Sequence, residues 1–318
     1  MKFLYNSIFL RHDTGTHPEN AGRLLSLGNI PEMPVENGEK YLRLVHTEEY
    51  IEKVRQACRS GRPLDSDTVT SAGTFDAAIH AVGAAVSAGQ SGDFALVRPP
   101  GHHAHADRGS GFCIFNNMAI AAKILSDAGK KVLILDIDSH LGDGTEQFFY
   151  ASDRVLYISL HQEPSFPGGG SIEEIGTGPG TGYTVNIPLS PGAGDDIYAG
   201  AVRLALGIAD SFRPDAVGVS AGFDGHEGDP LLNLRLSCNS YYDAGCSLRN
   251  RFPLLFATLE GGYHPEYFPK SLNSFMAGIN GQSLPYPEDK TDSTYLLLEE
   301  HQVRMDQLKQ ILSPYWRI

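Results

Sequence analysis

The sequence predicts an α/β fold in which a parallel sheet is covered by helices on both faces. Short apolar runs alternate with helix-like segments along the 318 residues, which is typical of repeated β-α-β units. The apolar runs are nearly continuous, as in strands that are buried on both faces. The sequence contains no low-complexity linker and no internal repeat. We therefore expect a single domain over residues 1–318.

Six short apolar segments are predicted to be strands. They are 94–97, 132–135, 155–160, 184–187, 216–220 and 254–259. Six longer segments are predicted to be helices, the first of which begins after Thr47 with two acidic residues in its first turn. They are 47–59, 74–89, 116–128, 195–212, 239–250 and 266–278.

The chain ends in a polar extension, residues 284–318. Val303, Leu308, Ile311 and Leu312 suggest a short helix near 300–312. We expect this helix to pack on the body of the domain rather than to bind a partner.

Composition excludes several classes of protein. The net charge of −13 argues against direct nucleic acid binding, which requires a basic face, but it is compatible with a cationic substrate. Four cysteines without a CxxC pair indicate a reduced compartment. The N-terminus turns polar too early for a secretory signal, and no segment approaches the roughly 20 apolar residues of a membrane span. We expect a cytoplasmic protein, or a nuclear one in a eukaryote, that does not bind membranes.

Polar residues flanked by glycine follow nearly every predicted strand, and in an open α/β sheet this edge binds ligands. Asp138 and His140 follow the strand 132–135 and are two residues apart, so on an extended chain they point to the same side. Asp224, after the strand 216–220, is the best candidate for a third metal ligand. Such a set suits zinc or ferrous iron. Taken alone, the first pair fits a polar strand end equally well, and Asp224 fits a turn.

Two adjacent histidines, His102 and His103, follow Pro-Pro-Gly. If they flank a metal-bound water, one can act as a base and the other as an acid. Each needs a carboxylate to fix its tautomer, and Asp136 and Asp143 are available at the neighbouring strand end. Tyr263 could donate its hydroxyl to a developing oxyanion.

Aromatic residues lie on two loops of the same edge. Phe112 and Phe166 could wall a narrow slot for an alkyl chain, although core packing is the default interpretation of any phenylalanine. His105, His226 and His264 lie near these loops but fit no role, so they are interpreted as solvated or structural.

Six motifs occur in a fixed order between residues 99 and 263, and the resemblance that they carry covers roughly residues 10 to 280. They are Pro99-Pro100-Gly101-His102-His103-Ala104, Gly111-Phe112-Cys113, Asp136-x-Asp138-x-His140-x-Gly142-Asp143-Gly144, Ser159-Leu160-His161, Ala221-Gly222-Phe223-Asp224 and Gly261-Gly262-Tyr263. Together they resemble the zinc-dependent histone deacetylase superfamily, class II-like, which includes acetylpolyamine amidohydrolases. The resemblance implies an arginase-like domain with an eight-stranded parallel sheet.

The resemblance also implies roles for individual residues. One catalytic Zn²⁺ would be held by Asp138, His140 and Asp224. His102 would be backed by Asp136, His103 would be backed by Asp143, and Tyr263 would polarise the amide carbonyl. The expected substrate site comprises Gly111, Phe112, Phe166, Gly262, Leu231 and a rim residue, Asp67, which would receive the amide N–H. A structural K⁺ would be held by Asp136, Asp138, His140, Ser159 and Leu160.

The implied reaction removes an acetyl or other acyl group from a lysine-like or polyamine amine, releasing acetate and a primary amine. Leu231 stands where one type of polyamine-preferring relative carries an acidic gate, which favours acyl-lysine substrates. The alternatives are an acetylpolyamine-specific enzyme, a non-catalytic protein that binds acylated ligands, and, less compatible with the sequence, a binuclear manganese ureohydrolase. Leu141 departs from the family, which usually has a second histidine there. The sequence leaves the oligomeric state open, a homo-oligomer included.

Overall fold

Seven strands form the sheet at the centre of the computed structural model, which describes residues 1–317. They are β1 (Phe3–Leu4), β2 (Phe94–Ala95), β3 (Val132–Asp136), β4 (Val155–Gln162), β5 (Thr184–Leu189), β6 (Ala216–Ala221) and β7 (Leu255–Leu259). All neighbouring pairs are parallel, in the order β1-β2-β7-β6-β3-β4-β5. The predicted α/β fold with a parallel sheet is confirmed.

The expectation of eight strands is wrong for the described residues, which form seven. At one end of the sheet, C-terminal residues lie against β5 where a further strand would pair. Arg304 donates to the carbonyl of Pro188, and Trp316 Nε1 donates at 2.7 Å to the carbonyl of Gly182, just before β5. The C-terminal segment therefore protects this edge from pairing with another chain.

Nine α-helices among the described residues flank the sheet. They are α1 (Gly22–Leu25), α2 (Glu48–Ser60), α3 (Thr74–Ser91), α4 (Asn117–Asp127), α5 (Asp143–Phe149), α6 (Asp195–Phe212), α7 (Cys238–Leu248), α8 (Tyr267–Asn280) and α9 (Tyr295–Leu312). Every residue of β3 is buried, so both faces of the sheet are covered there. Within residues 1–317, no helix combines the length and apolarity needed to cross a bilayer.

The C-terminal helix α9 is longer than the sequence predicts. Met305, Leu308 and Leu312 are buried in the main hydrophobic core, whereas Val303 is exposed. Residues at a spacing of three and four therefore pack α9 against the body.

The strand order brings the polar strand ends together. β7, β6, β3 and β4 are consecutive neighbours, and all four run in the same direction. Asp136 at the end of β3 is in register with Ser159 of β4 and Ser220 of β6. The segments that follow these strands therefore share one edge of the sheet, as expected for a ligand site in an α/β fold.

A buried carboxyl group on α5 makes stability depend on pH. Glu146 accepts a hydrogen bond of 2.8 Å from Asn186 Nδ2, and burial raises its pKa to about 7. A carboxyl pKa that is higher in the folded state contributes stability at low pH, which is lost as pH rises from about 4.5 to 7.

Glu146→Gln should therefore increase the free energy of unfolding at pH 8 by up to roughly 3 kcal/mol and leave it unchanged near pH 4. Urea denaturation at both values measures the difference. The exposed Glu49→Gln is the matched control. A Glu146→Gln effect that is the same at both pH values would contradict the prediction.

Candidate active site

A cavity of about 430 Å³ opens at the edge where the polar strand ends meet. It is lined by His17, Pro18, Asp67, His103, Gly111, Phe112, His140, Phe166, Leu231 and Tyr263. All of these except His17 and Pro18 are among the site residues expected from the sequence. The remaining expected residues are Asp136, Asp138, Asp143, Asp224, His102, Gly262, Ser159 and Leu160, which lie outside this lining.

Asp138, His140 and Asp224 converge beneath this cavity, and their ligand atoms all lie within 4.8 Å of one another. His140 Nδ1 is 2.8 Å from Asp224 Oδ2 and 3.3 Å from Asp138 Oδ1. Backbone N–H groups hold both carboxylates, because Ser139 donates to Asp224 Oδ1 at 2.9 Å and Gly261 donates to Asp138 Oδ2 at 2.7 Å. The ligand atoms are therefore oriented by the fold.

The electrostatics of this trio favour a cation. Both aspartates are buried, and buried carboxylates require a partner or a metal. Burial opposes protonation of His140, but the carboxylates of Asp224 and Asp138 outweigh it and raise its pKa to about 10. Two anionic oxygens and one imidazole nitrogen fit the ligand preferences of Zn²⁺.

Among the described residues, two other groups have metal-ligand spacing, and hydrogen bonds account for one of them. In His226, Cys238 and Glu288, the N–H of Gly228 donates to His226 Nδ1 at 3.0 Å. The imidazole proton must then lie on Nε2, which faces Glu288 Oε2 at 3.1 Å. His226 has no free lone pair for a metal.

The second of these groups comprises His102, Cys113 and Glu260. Glu260 Oε2 already accepts the backbone N–H groups of Gly101 and His102 at 2.7 and 3.1 Å. Burial raises the pKa of Cys113 well above its ordinary value, so the thiol is protonated and is a poor ligand.

Each of the paired histidines bonds to its own carboxylate. His102 Nδ1 lies 3.1 Å from Asp136 Oδ2, and His103 Nδ1 lies 2.8 Å from Asp143 Oδ1. The two imidazole centroids are 4.0 Å apart. Nε2 of His102 lies 3.9 Å from Asp138 Oδ1, so it faces the metal-ligand trio. The pairings expected from the sequence thus occur in the structure as contacts.

The two histidines differ in their preference for a proton. Burial opposes charge on His102, but the carboxylates of Asp138 and Asp136 raise its pKa well above the ordinary value. Burial and the charge of His102 lower the pKa of His103 to about 4, against the effect of Asp143. Adjacent groups with pKa values driven apart are characteristic of an acid–base pair. A divalent cation on the trio would offset the Asp138 charge that favours protonation of His102.

Tyr263 is held by residues that the sequence analysis did not identify. Its backbone N–H and that of His264 donate to Asp229 Oδ2 at 2.7 and 3.3 Å. Arg23 Nε donates at 2.6 Å to the carbonyl of Gly262, which has a φ of +111°. The Arg23 guanidinium also lies 4.9 Å from the centroid of the Tyr263 ring. The buried Asp229 and Arg23 therefore fix the turn that presents the tyrosine.

Two aromatic rings border the cavity. Phe112 makes edge contacts with His17 and Tyr263, and Phe166 makes one with His103 at a centroid distance of 5.0 Å. Gly111 is required between them, because a Cβ there would lie 2.5 Å from the His103 ring and 2.7 Å from the Phe166 ring. The cavity is therefore a slot with aromatic walls.

Asp67 and Leu231 lie at the mouth of the cavity, and both are exposed to solvent. Leu141, where the family usually has a histidine, is buried beside the glycine-rich loop that follows β4. A Cβ on Gly170 of that loop would lie 3.2 Å from Leu141 Cδ2 and 2.3 Å from His161 Nε2. Leu141 therefore packs against this loop, which can come so close to Leu141 and His161 only because residue 170 is a glycine.

Ser159, an expected potassium ligand, lies beside Asp136 in the β3–β4 register. Its hydroxyl is 2.9 Å from His161 Nδ1, and Leu160 is buried. The potassium site stays a prediction.

Residues 17–279 match the family model of the histone deacetylase domain. The chain belongs to the histone deacetylase family. It is 36% identical to a probable deacetylase of Archaeoglobus fulgidus over 99% of this chain and 98% of that protein. It is 34% identical to a histone deacetylase-like amidohydrolase of Pseudomonas aeruginosa over 79% and 73% of the two chains. The crystal structure of the HDA15 HD domain superimposes on this histone deacetylase fold with a TM-score of 0.89 and 31% identity, over 99% and 94% of the chains.

Proposed function

We propose that this chain is a zinc-dependent amidohydrolase that removes acetyl or other acyl groups from lysine-like or polyamine amines. The observation that carries the proposal is the convergence of Asp138, His140 and Asp224 beneath a cavity that His103 and Tyr263 also line. Membership of the histone deacetylase family supports the same chemistry. The products are a carboxylate, acetate in the simplest case, and a primary amine.

The residues present divide the reaction between them. When bound by Asp138, His140 and Asp224, Zn²⁺ supplies Lewis acidity towards the carbonyl and the attacking water. His102 and His103, each held through Nδ1 by a carboxylate, exchange protons through Nε2. His103 lines the cavity and, with its pKa lowered to about 4, is neutral before the reaction, so we assign it to accept the proton of the attacking water and to donate it to the leaving amine. Tyr263 donates its hydroxyl to the developing oxyanion.

The cavity suits an acyl group on a linear amine. Phe112 and Phe166 would contact the methylene groups, and Asp67 at the rim would accept the amide N–H. The apolar Leu231 favours acyl-lysine over a polyamine at the same mouth.

We assign a structural K⁺ to Asp136, Asp138, His140, Ser159 and Leu160. We also propose that the chain forms a single catalytic domain, with residues 284–318 as its C-terminal extension. Its proposed location is the cytoplasm. Four free cysteines support a reduced compartment.

Metal removal tests the proposal directly. Treatment with a chelator followed by desalting should abolish acetate release from an acetyl-lysine peptide, and about one equivalent of Zn²⁺ per chain should restore it. Acetate is measured by a coupled assay and metal content by mass spectrometry. Undiminished activity in metal-free protein would contradict zinc dependence.

The substrate class is decided by comparing acetyl-lysine peptides, longer acyl-lysine peptides and acetylated polyamines on one zinc-loaded sample. The proposal expects the largest kcat/KM for an acyl-lysine peptide. A preference for acetylated polyamines would support the alternative specificity. Binding of all three without product formation would support the non-catalytic alternative.

A further inference from the structure

The carboxylate that holds His103 has a second imidazole partner. Asp143 Oδ1 lies 2.8 Å from His103 Nδ1, and Asp143 Oδ2 lies 2.8 Å from Nε2 of His105. The pair formed by His102 and Asp136 is built differently. Besides His102, Asp136 accepts only from a backbone N–H and from the Tyr157 hydroxyl, so it has no second imidazole partner. One carboxylate thus bridges two imidazoles at the edge of the proposed active site.

His105 is anchored independently of this carboxylate. Its backbone N–H donates to the carbonyl of Arg108 at 2.9 Å, and its own carbonyl lies 2.9 Å from His46 Nδ1. His46 Nε2 accepts the N–H of Asn116, so His46 Nδ1 must carry the proton and donate. These bonds fix the backbone of His105 from both sides.

The Asp143 side chain has more conformational freedom than the His105 side chain. Its side chain is 21% exposed, whereas that of His105 is 5% exposed. A carboxylate held at one oxygen can rotate about its Cβ–Cγ bond, and a second bond fixes its plane. The buried His105 is therefore the anchor, and the orientation of Asp143 depends on it.

Other polar groups face the His105 ring. Gln147 Oε1 on α5 is 2.6 Å from Nδ1, and an Arg108 guanidinium nitrogen is 3.0 Å from Nε2. Burial opposes charge on His105, but Asp143 and Gln147 outweigh both burial and Arg108, and its pKa is raised. An imidazole that carries both protons donates to Gln147 and Asp143 at once, and the Arg108 nitrogen beside Nε2 is then a neighbouring donor rather than a hydrogen-bond partner.

We infer that His105 is a positioning residue that holds the Asp143 carboxylate in the orientation required by its bond to His103. This inference rests on the proposed function, in which His103 transfers a proton. The sequence assigned His105 no role, because a histidine two residues after the pair has no partner that spacing alone can indicate. Asp143 is 38 residues away along the chain.

Replacement of His105 provides the test. His105→Ala should lower kcat about tenfold and change KM less than twofold. Replacing a hydrogen-bond partner that orients a functional side chain from outside the reacting groups typically lowers activity 10- to 100-fold. His105→Gln should recover most of kcat, since its amide N–H₂ can donate to Asp143 as Nε2 does. His301→Ala on α9 is the matched control and should have wild-type kcat. Wild-type kcat in His105→Ala, or no recovery in His105→Gln, would overturn the inference.

A second measurement does not depend on activity. Crystal structures of the wild type and of His105→Ala should show the Asp143 carboxylate rotated away from His103 in the variant. An unchanged 2.8 Å contact would overturn the positioning role, whatever the kinetics. An inactive wild type would overturn the proposed function, and the two crystal structures would still decide whether His105 orients Asp143.

Discussion

Tyr263→Phe should fold, bind zinc and lose roughly 10²- to 10³-fold in kcat, the usual effect of removing one donor to an oxyanion. The ring would keep its contacts with Phe112 and Arg23, and Asp229 would still hold the backbone N–H. Burial, opposed by Arg23, raises the pKa of Tyr263 well above its ordinary value, so the hydroxyl stays a donor over the working pH range. The loss should therefore be independent of pH between about 6 and 9.

Steady-state kinetics and metal analysis on the same sample measure this prediction. Tyr242→Phe is a suitable control, because its hydroxyl bonds to the carbonyl of Gln282 at the surface and lies outside the cavity lining. A Tyr263→Phe variant with a kcat within threefold of wild type would remove Tyr263 from the mechanism. Loss of zinc in that variant would mean that the turn, rather than the hydroxyl, is what the substitution disturbs.

The fold was predictable where hydrophobic periodicity spans enough residues to be detected. Six of the seven strands and the six long helices α2, α3, α4, α6, α7 and α8 were predicted within a few residues of their ends. The strand β1, with two residues, and the helix α1, with four, are too short for any period to appear. The order of the strands depends on long-range packing, which a single sequence does not record.

The candidate site was predictable where function concentrates unusual residues within short motifs. The strand-end motifs made Asp136 and Asp143 available to the two histidines, and the resemblance to the family assigned Asp136 to His102 and Asp143 to His103, which are the contacts in the structure. Asp229 could not be found in this way. Its role depends on accepting backbone N–H groups of a segment 34 residues away, and Gly-Asp-Pro alone indicates only a turn.

Buried ion pairs behind the site were also outside the reach of sequence reasoning. Glu19 binds both Arg98 and Arg23 with little or no exposure of any of the three side chains. Each residue type is common at protein surfaces, so only the tertiary structure shows that they are paired. Removing one partner would leave a buried charge without compensation. The resulting loss of stability is larger than the net stability that the ion pair contributes.

Asp224→Asn should weaken zinc binding at least about a hundredfold, because even partners outside the ligand set contribute 10- to 100-fold. The asparagine Oδ1 would still accept the Ser139 N–H, which now donates to Asp224 at 2.9 Å. Its Nδ2 would replace the oxygen that lies 2.8 Å from His140 Nδ1, and an amide N–H₂ does not ligate a metal. Acetate release at limiting zinc should fall in parallel.

Stability separates this effect from unfolding. Burial and the charge of Asp138 both raise the pKa of Asp224, so the two carboxylates repel each other in the metal-free fold. Removing one of these charges should leave the melting temperature of metal-free protein unchanged or higher, while abolishing the increase that zinc gives the wild type. Glu227→Gln, an exposed carboxyl three residues further along, should retain wild-type zinc affinity. If Asp224→Asn binds zinc as the wild type does, the third ligand must be another residue. Two metals per wild-type chain would instead favour the binuclear alternative, because one Asp-His-Asp trio accounts for a single ion.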